Sequence, residues 1–135
     1  MACPKLWVDL KKIEENARII TSLCAHRGIA VAGVVKGCRA DEKVTQAVAA
    51  GGVAQLSSSR ISQIKRIRRA CPDVPTMLIR IPMLGEVEDV VRYCDYSLQS
   101  EDAVLRAVNE AALAQNTQHK VILMYDVGAK VRLSE

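Results

Sequence analysis

The sequence predicts an α/β fold in which short parallel strands alternate with helices, and three observations lead there. Strand-like apolar runs begin near Ala30, Val53, Thr76, Asp95 and Lys120, a step of roughly 20–25 residues that suits one β-α unit. The segments between them carry apolar residues at helical spacing. Half of the chain is hydrophobic yet contains no Phe, so the core is built from Ala, Val, Ile and Leu. Such small and β-branched side chains suit strands buried on both faces. Two architectures satisfy these observations: a partial (β/α)8 barrel with about five β-α units, and an open five-stranded doubly wound sheet. A whole barrel takes about 200 residues or more. The open sheet fits 135 residues as they stand, and periodicity does not choose between the two.

Leu6-Trp7-Val8-Asp9-Leu10 reads as a short strand or extended entry, with Asp9 placed to cap the helix that follows. In that helix Ile13, Ala17, Ile20 and Cys24 form an apolar stripe, and Gly28 ends it as a left-handed cap. The run from Ala30 then ends abruptly in Lys36-Gly37. Strand side chains alternate, so Ala30, Ala32, Val34 and Lys36 share one face. Lys36 thus stands at a strand's carboxyl end beside small residues, where parallel α/β folds place their chemistry. A partly desolvated amine there is a nucleophile toward a carbonyl. Equally, a lysine there marks the strand's exit into water, its stem lying along the rim.

Asp41 caps a second helix that runs to Ala50, with Val44, Ala47 and Val48 inward and Gly51-Gly52 as its stop. Val53-Ala54-Gln55-Leu56 is the next strand. It runs into Ser57-Ser58-Ser59, which either cap the third helix or offer hydroxyls to a phosphate. That helix buries Ile61, Ile64, Ile67 and Cys71, and Arg60, Lys65, Arg66, Arg68 and Arg69 fill its remainder. No aromatic residues interleave there for base stacking, and the net charge is only +4. The basic residues read as a solvated helix face, and nucleic acid is not an expected partner.

Thr76 to Pro82 forms a strand ended by its proline. Arg80, near its carboxyl end, shares the rim of Lys36 if the strands are parallel. An arginine there meets a carboxylate or phosphate, or makes a rim salt bridge. Glu86 to Tyr93 is a short helix, Asp95 to Gln99 a short strand, and Ser100 caps a helix whose core face is Val104, Leu105, Val108 and Ala112. In the last strand, His119 to Gly128, His119 stands at the amino end and reads as structural. Asp126 stands at the carboxyl end, placed to contact a ligand or orient a basic group.

The five cysteines, Cys3, Cys24, Cys38, Cys71 and Cys94, are odd in number and lack C-x-x-C spacing. With no targeting segment at the start, they read as reduced thiols in a cytoplasm. With the two histidines they make no metal pattern. No apolar run approaches the roughly 18–20 residues of a membrane span, so a membrane is not an expected partner.

Several of these segments are similar, in order, to the alanine/ornithine racemase family. They are Gly33-Val34-Val35-Lys36, Gly51-Gly52-Val53, Ser58-Ser59-Arg60, Met77 to Met83 and His119 to Gly128. The opening Trp7 to Ala17 resembles the start of that family's N-terminal barrel domain, so residues 1–135 resemble the N-terminal portion of such a domain. The resemblance implies pyridoxal 5'-phosphate as cofactor, with Lys36 as its Schiff-base lysine and one acid/base. It further implies Arg80 and Asp126 at the cofactor, an amino-acid substrate and a homo-oligomer. Racemisation needs a second acid/base. Cys38 and Tyr125 are the candidates near Lys36, and a group from beyond the chain or from another subunit is expected instead.

Departures from the family pattern point toward its ornithine-type branch. Ala40 stands where the better-known alanine racemases carry a tyrosine, and Met124 where they carry a lysine. Val131, followed by Arg132, stands where an arginine is expected. The last barrel strands, whose loops commonly build the phosphate cup, are absent. The 135 residues alone are therefore expected to be inactive and to self-associate through open sheet edges. The rival expectation is a non-catalytic pyridoxal-phosphate-binding protein of the same barrel class.

Overall fold

The computed structural model describes residues 4–127. Helix α1 (Leu10–Ala25) comes first, capped by Asp9, whose carboxylate accepts from the Lys12 N–H at 3.1 Å. Then follow β1 (Ala32–Val34), α2 (Glu42–Ala50), β2 (Gln55–Ser58), α3 (Ile61–Ala70) and β3 (Thr76–Leu78). A single 3-10 turn, Leu84–Glu86, leads into α4 (Val87–Tyr93), and β4 (Tyr96–Gln99), α5 (Asp102–Ala114) and β5 (Lys120–Leu123) complete the series.

The sheet runs β1-β2-β3-β4-β5 with every pair parallel. This order decides between the two architectures. A doubly wound sheet reverses its strand order at a switch point and carries helices on both faces. Here each strand lies beside its successor, and the helices pack in series, α1 on α2, α2 on α3, α3 on α4 and α4 on α5. The described residues form the wall of a partial barrel, and the doubly wound alternative is overturned.

The register fixes the two faces. Gly33, Leu56 and Thr76 align across three strands, and Val34, Ser57, Met77, Tyr96 and Lys120 across all five. The first set faces the helices: Val35, Leu56 and Leu78 pack with Ile64 and Ile67 of α3, Val90 of α4, Cys71 and Cys94. Gly33 belongs to this side, and α2 lies so close that a Cβ there would stand 2.6 Å from Val48 Cγ1. A second cluster joins Val91 to Val104, Val108, Ala111 and Ala112 of α5. The other set, with Ala32 and Gln55, lines the lumen side, where Val34 of edge strand β1 is 52 % exposed.

Several sequence expectations are corrected. Residues 4–9 form no strand and are all exposed. No residue of α1 is buried, since α2 is the helix it packs against, and Ile20 of the expected stripe stays 53 % exposed. The serines do not cap. Arg60 is the N-cap of α3 and Glu101 that of α5, neither with a capping side-chain bond. Ser57 and Ser58 belong to the ladder, their carbonyls accepting from the Val35 and Ile79 N–H groups, and the Ser58 hydroxyl donates to Gln63 Oε1 at 2.5 Å. Cys24, Cys38, Cys71 and Cys94 are free thiols. Cys3, Gly128, Val131 and Arg132 lie outside the described residues. Among those described, no helix is long and apolar enough to cross a membrane.

Candidate functional site

The ladder of β1 ends at Val34, two residues before Lys36. The chain then makes one helical turn and closes it: the Ala40 N–H donates to the Val35 carbonyl at 3.0 Å and the Arg39 N–H to that of Lys36 at 3.1 Å. This is the paired bonding of a Schellman closure. It requires the left-handed region, usually glycine's, and here Arg39 (φ 56°) and Ala40 (φ 53°) occupy it. Two contacts offset that strain. Ala40 is buried in the core cluster, and Arg66 Nη1 of α3 donates to the Arg39 carbonyl at 3.3 Å. Asp41 then caps α2, its carboxylate accepting from the Val44 N–H.

Lys36 therefore opens a locked turn at the carboxyl rim. It follows Ala32 and Val34, the lumen-side residues of β1, just past that strand's carboxyl end. Its side chain is exposed and has no hydrogen-bond or ion-pair partner among the described residues. The expected partial desolvation is absent, because β1 is an edge strand and no described wall faces it. Gly37 adds further room, since a Cβ there would meet nothing within 4 Å.

Arg80 stands on the same rim, since the strands are parallel, but its donors turn to the main chain. Nε donates to the Ser59 carbonyl at 2.7 Å and Nη1 to that of Ile81 at 3.0 Å. Nη2 pairs with Glu86 Oε1 at 2.5 Å. Arg80 lies two residues past the end of β3. The sequence reading missed Glu86 as its partner.

Asp126 lies three residues past the end of β5 and is exposed, as is Tyr125. Cys38 turns its thiol inward, Sγ donating to the Val35 carbonyl at 3.2 Å. Neither Cys38 nor Tyr125 is hydrogen-bonded to Lys36.

His119 has the structural place expected of it. Gln99 Nε2 donates to Ser97 Oγ at 2.8 Å, and Ser97 Oγ lies 2.9 Å from His119 Nε2. The Ser97 hydroxyl is thus left to donate to a neutral ring. Burial pushes the His119 pKa down, opposed by the Cys94 carbonyl and the Asp95 charge. Burial likewise pushes the Cys94 thiol up to about 12 and raises that of Cys71. The basic residues of α3 are drawn into the fold: Lys65 pairs with Asp89 and Arg68 with Asp95, each at 2.8 Å.

Residues 8–133 match the model of the alanine racemase N-terminal domain. The chain is 41 % identical over 127 residues to an ornithine racemase of Acetoanaerobium sticklandii, covering 93 % of this chain and 35 % of the relative. It is 35 % identical over 128 residues to a lysine racemase of Thermotoga maritima, covering 95 % and 36 %. The chain thus spans about a third of the length of these curated relatives. Among solved structures, the alanine racemase from Streptomyces coelicolor A3(2) matches with a TM-score of 0.76 at 23 % identity, over 90 % of this chain and 33 % of that one. PipY of Synechococcus elongatus PCC7942, with PLP bound, matches at 0.74 and 15 % identity, over 87 % and 56 %. These two likenesses are of fold. With its parallel barrel wall and the match along nearly its whole length, the chain belongs to the alanine racemase N-terminal domain family.

Proposed function

We propose that this chain is the Lys36-bearing part of a pyridoxal-phosphate-dependent amino-acid racemase acting on a basic amino acid of the ornithine or lysine type. What supports the reading is the position of Lys36, in a locked turn at the carboxyl end of β1 on a barrel-type rim. Kinship to an ornithine and a lysine racemase supports it. The residues fit the cofactor. Ala32 and Val34 are small, Gly37 leaves open space, and the Lys36 amine is free to bond an aldehyde.

When bound, pyridoxal phosphate supplies the electron sink that makes an α-proton removable. The chain's own part is then Lys36, which anchors the cofactor through Nζ and, once released, holds or returns a proton on one face of the substrate. Asp126, on the same rim, is placed to accept from a basic group of the ligand. The second acid/base is expected from another part of the protein or another subunit: the Cys38 thiol is bonded back to the Val35 carbonyl, and Tyr125 is not hydrogen-bonded to Lys36. These same facts favour one rival reading, a non-catalytic pyridoxal-phosphate-binding protein.

The setting is the cytoplasm, consistent with free thiols. Association into a homo-oligomer is part of this reading.

The test is α-proton exchange on ornithine and lysine in D2O, by the protein expressed from its native reading frame and loaded with pyridoxal phosphate. Exchange that disappears in Lys36→Ala supports the racemase. Cofactor retention without exchange on either amino acid selects the non-catalytic reading.

A further inference from the structure

We propose that Arg80 is a positioning residue that fixes the rim beside Lys36 and does not itself touch the ligand; the inference rests on the reading of Lys36 given above. A guanidinium presents its donors in a rigid fork. Here that fork joins three segments: the end of β2 through the Ser59 carbonyl, the end of β3 through the Ile81 carbonyl, and the start of α4 through Glu86. Both Arg80 and Glu86 are less than a third exposed, at 31 % and 24 % of their side chains, so the pair is held and not merely solvated.

The consequence for Lys36 follows from register. The Ser57 carbonyl accepts from the Val35 N–H at 3.0 Å, one residue before Lys36, and Ser59 follows two residues later at the same rim. Arg80 grips the carbonyl of that residue. Ladder bonds end here, the last being the Ile79 N–H to the Ser58 carbonyl at 3.0 Å. Beyond that bond the neighbouring wall of the lysine is held by the Arg80 fork. Freed of the fork, Ser59 and the connection carrying Met83 and Leu84 lose their fixed place, and the surface against which a ligand on Lys36 would pack shifts with them. Displacement of a packing surface by about 1 Å is enough to change reactivity by up to a hundredfold.

The experiment uses the protein expressed from its native reading frame, with two probes, pyridoxal phosphate and pyridoxal, which lacks the phosphate. Adducts are fixed with borohydride and the yield on Lys36 is read by peptide mapping. Amide exchange at Ile79 and Glu86 and the unfolding midpoint are followed in parallel. Arg80→Gln is expected to lower the Lys36 yield roughly tenfold with both probes alike and to speed exchange at both amides. The loss should exceed what the unfolded fraction accounts for. Glu86→Gln keeps the two carbonyl bonds, and a smaller loss in the same pattern is expected. It carries the test if Arg80→Gln does not fold.

A loss with pyridoxal phosphate but not with pyridoxal would make Arg80 a phosphate ligand and overturn the proposal. Faster exchange with unchanged labelling would overturn it too, leaving a purely structural clamp. A wild-type adduct on a lysine other than Lys36 overturns both readings. It is told apart because it arises before any substitution is made.

Discussion

Arg66 donates to the carbonyl of Arg39, 3.3 Å away, and so ties α3 to the turn that follows Lys36. The acceptor is main chain, so the tie survives a change of the Arg39 side chain. What does not survive is the strain of a side chain at φ 56°. Arg39→Gly relieves that strain at the cost of a freer unfolded chain. Stability is expected to stay level or rise by up to about 1 kcal/mol, whereas Arg39→Val, β-branched at positive φ, loses about 1–2 kcal/mol. Urea unfolding of the pair checks this, and the reverse order would contradict the Schellman closure.

The junction of α1 and α2 admits a second test. A Cβ at Gly51 would lie 2.3 Å from Ala17 Cβ and 3.0 Å from the backbone of Ala17 and Arg18. Helix backbone cannot yield, so α1 must shift, and the bond from Thr21 Oγ1 to the Gly51 carbonyl at 2.7 Å goes with it. Gly51→Ala is expected to cost about 1–3 kcal/mol. Gly37→Ala, with open space around it, serves as the near-neutral control, and equal midpoints for the two variants would refute the close packing.

Thiol reactivity reads the core directly. With its pKa pushed up to about 12 by burial, Cys94 has about one thiolate in 10⁴ at pH 8, against roughly a quarter for an unperturbed thiol. Cys71 is raised in the same direction. In native protein the half-buried Cys24 and Cys38 should react with a disulfide reagent first and Cys94 last. All five cysteines, Cys3 included, should react at once on denaturation without reductant. A protected pair under those conditions would show a disulfide.

His119 sets a pH dependence whose sign is fixed by burial. Its pKa lies below the ordinary 6.5, so below that pH the unfolded chain binds more protons than the folded one. The stability from its neutral ring is therefore fully present above about pH 6.5 and is lost as pH falls toward the depressed folded value. His119→Gln should flatten the slope of stability in that window, measured by urea unfolding between pH 7 and pH 5. An unchanged slope would remove His119 from the account.

How much of this was legible in the sequence follows from where each signal resides. The core stripe of α3, Ile64 and Ile67, was readable because helix periodicity and burial coincide there. So were Asp9 and Asp41 as caps, since capping is local chemistry. The barrel-type strand order was not, because periodicity records alternation and not which strand pairs with which. At the site, the sequence located Lys36, Arg80 and Asp126 at strand ends, but it ran each strand too far. The ladders stop at Val34, Leu78 and Leu123. Main-chain pairing ends when the neighbouring strand ends, a relation between segments that no apolar run records. Arg80 read either as a ligand contact or as a rim salt bridge, and the structure shows the salt bridge, to Glu86, with further bonds to the Ser59 and Ile81 carbonyls.

The central claim is that Lys36 is the amine that bonds the cofactor, and one measurement tests it most directly. The protein is incubated with pyridoxal phosphate at substoichiometric to stoichiometric ratio, reduced with borohydride and digested, and the label is assigned among all its lysines. The account predicts one dominant labelled peptide, the one carrying Lys36, and its loss in Lys36→Arg without a change in the unfolding midpoint. Label concentrated on another lysine, or spread evenly over the surface lysines with Lys36 among them, would contradict it.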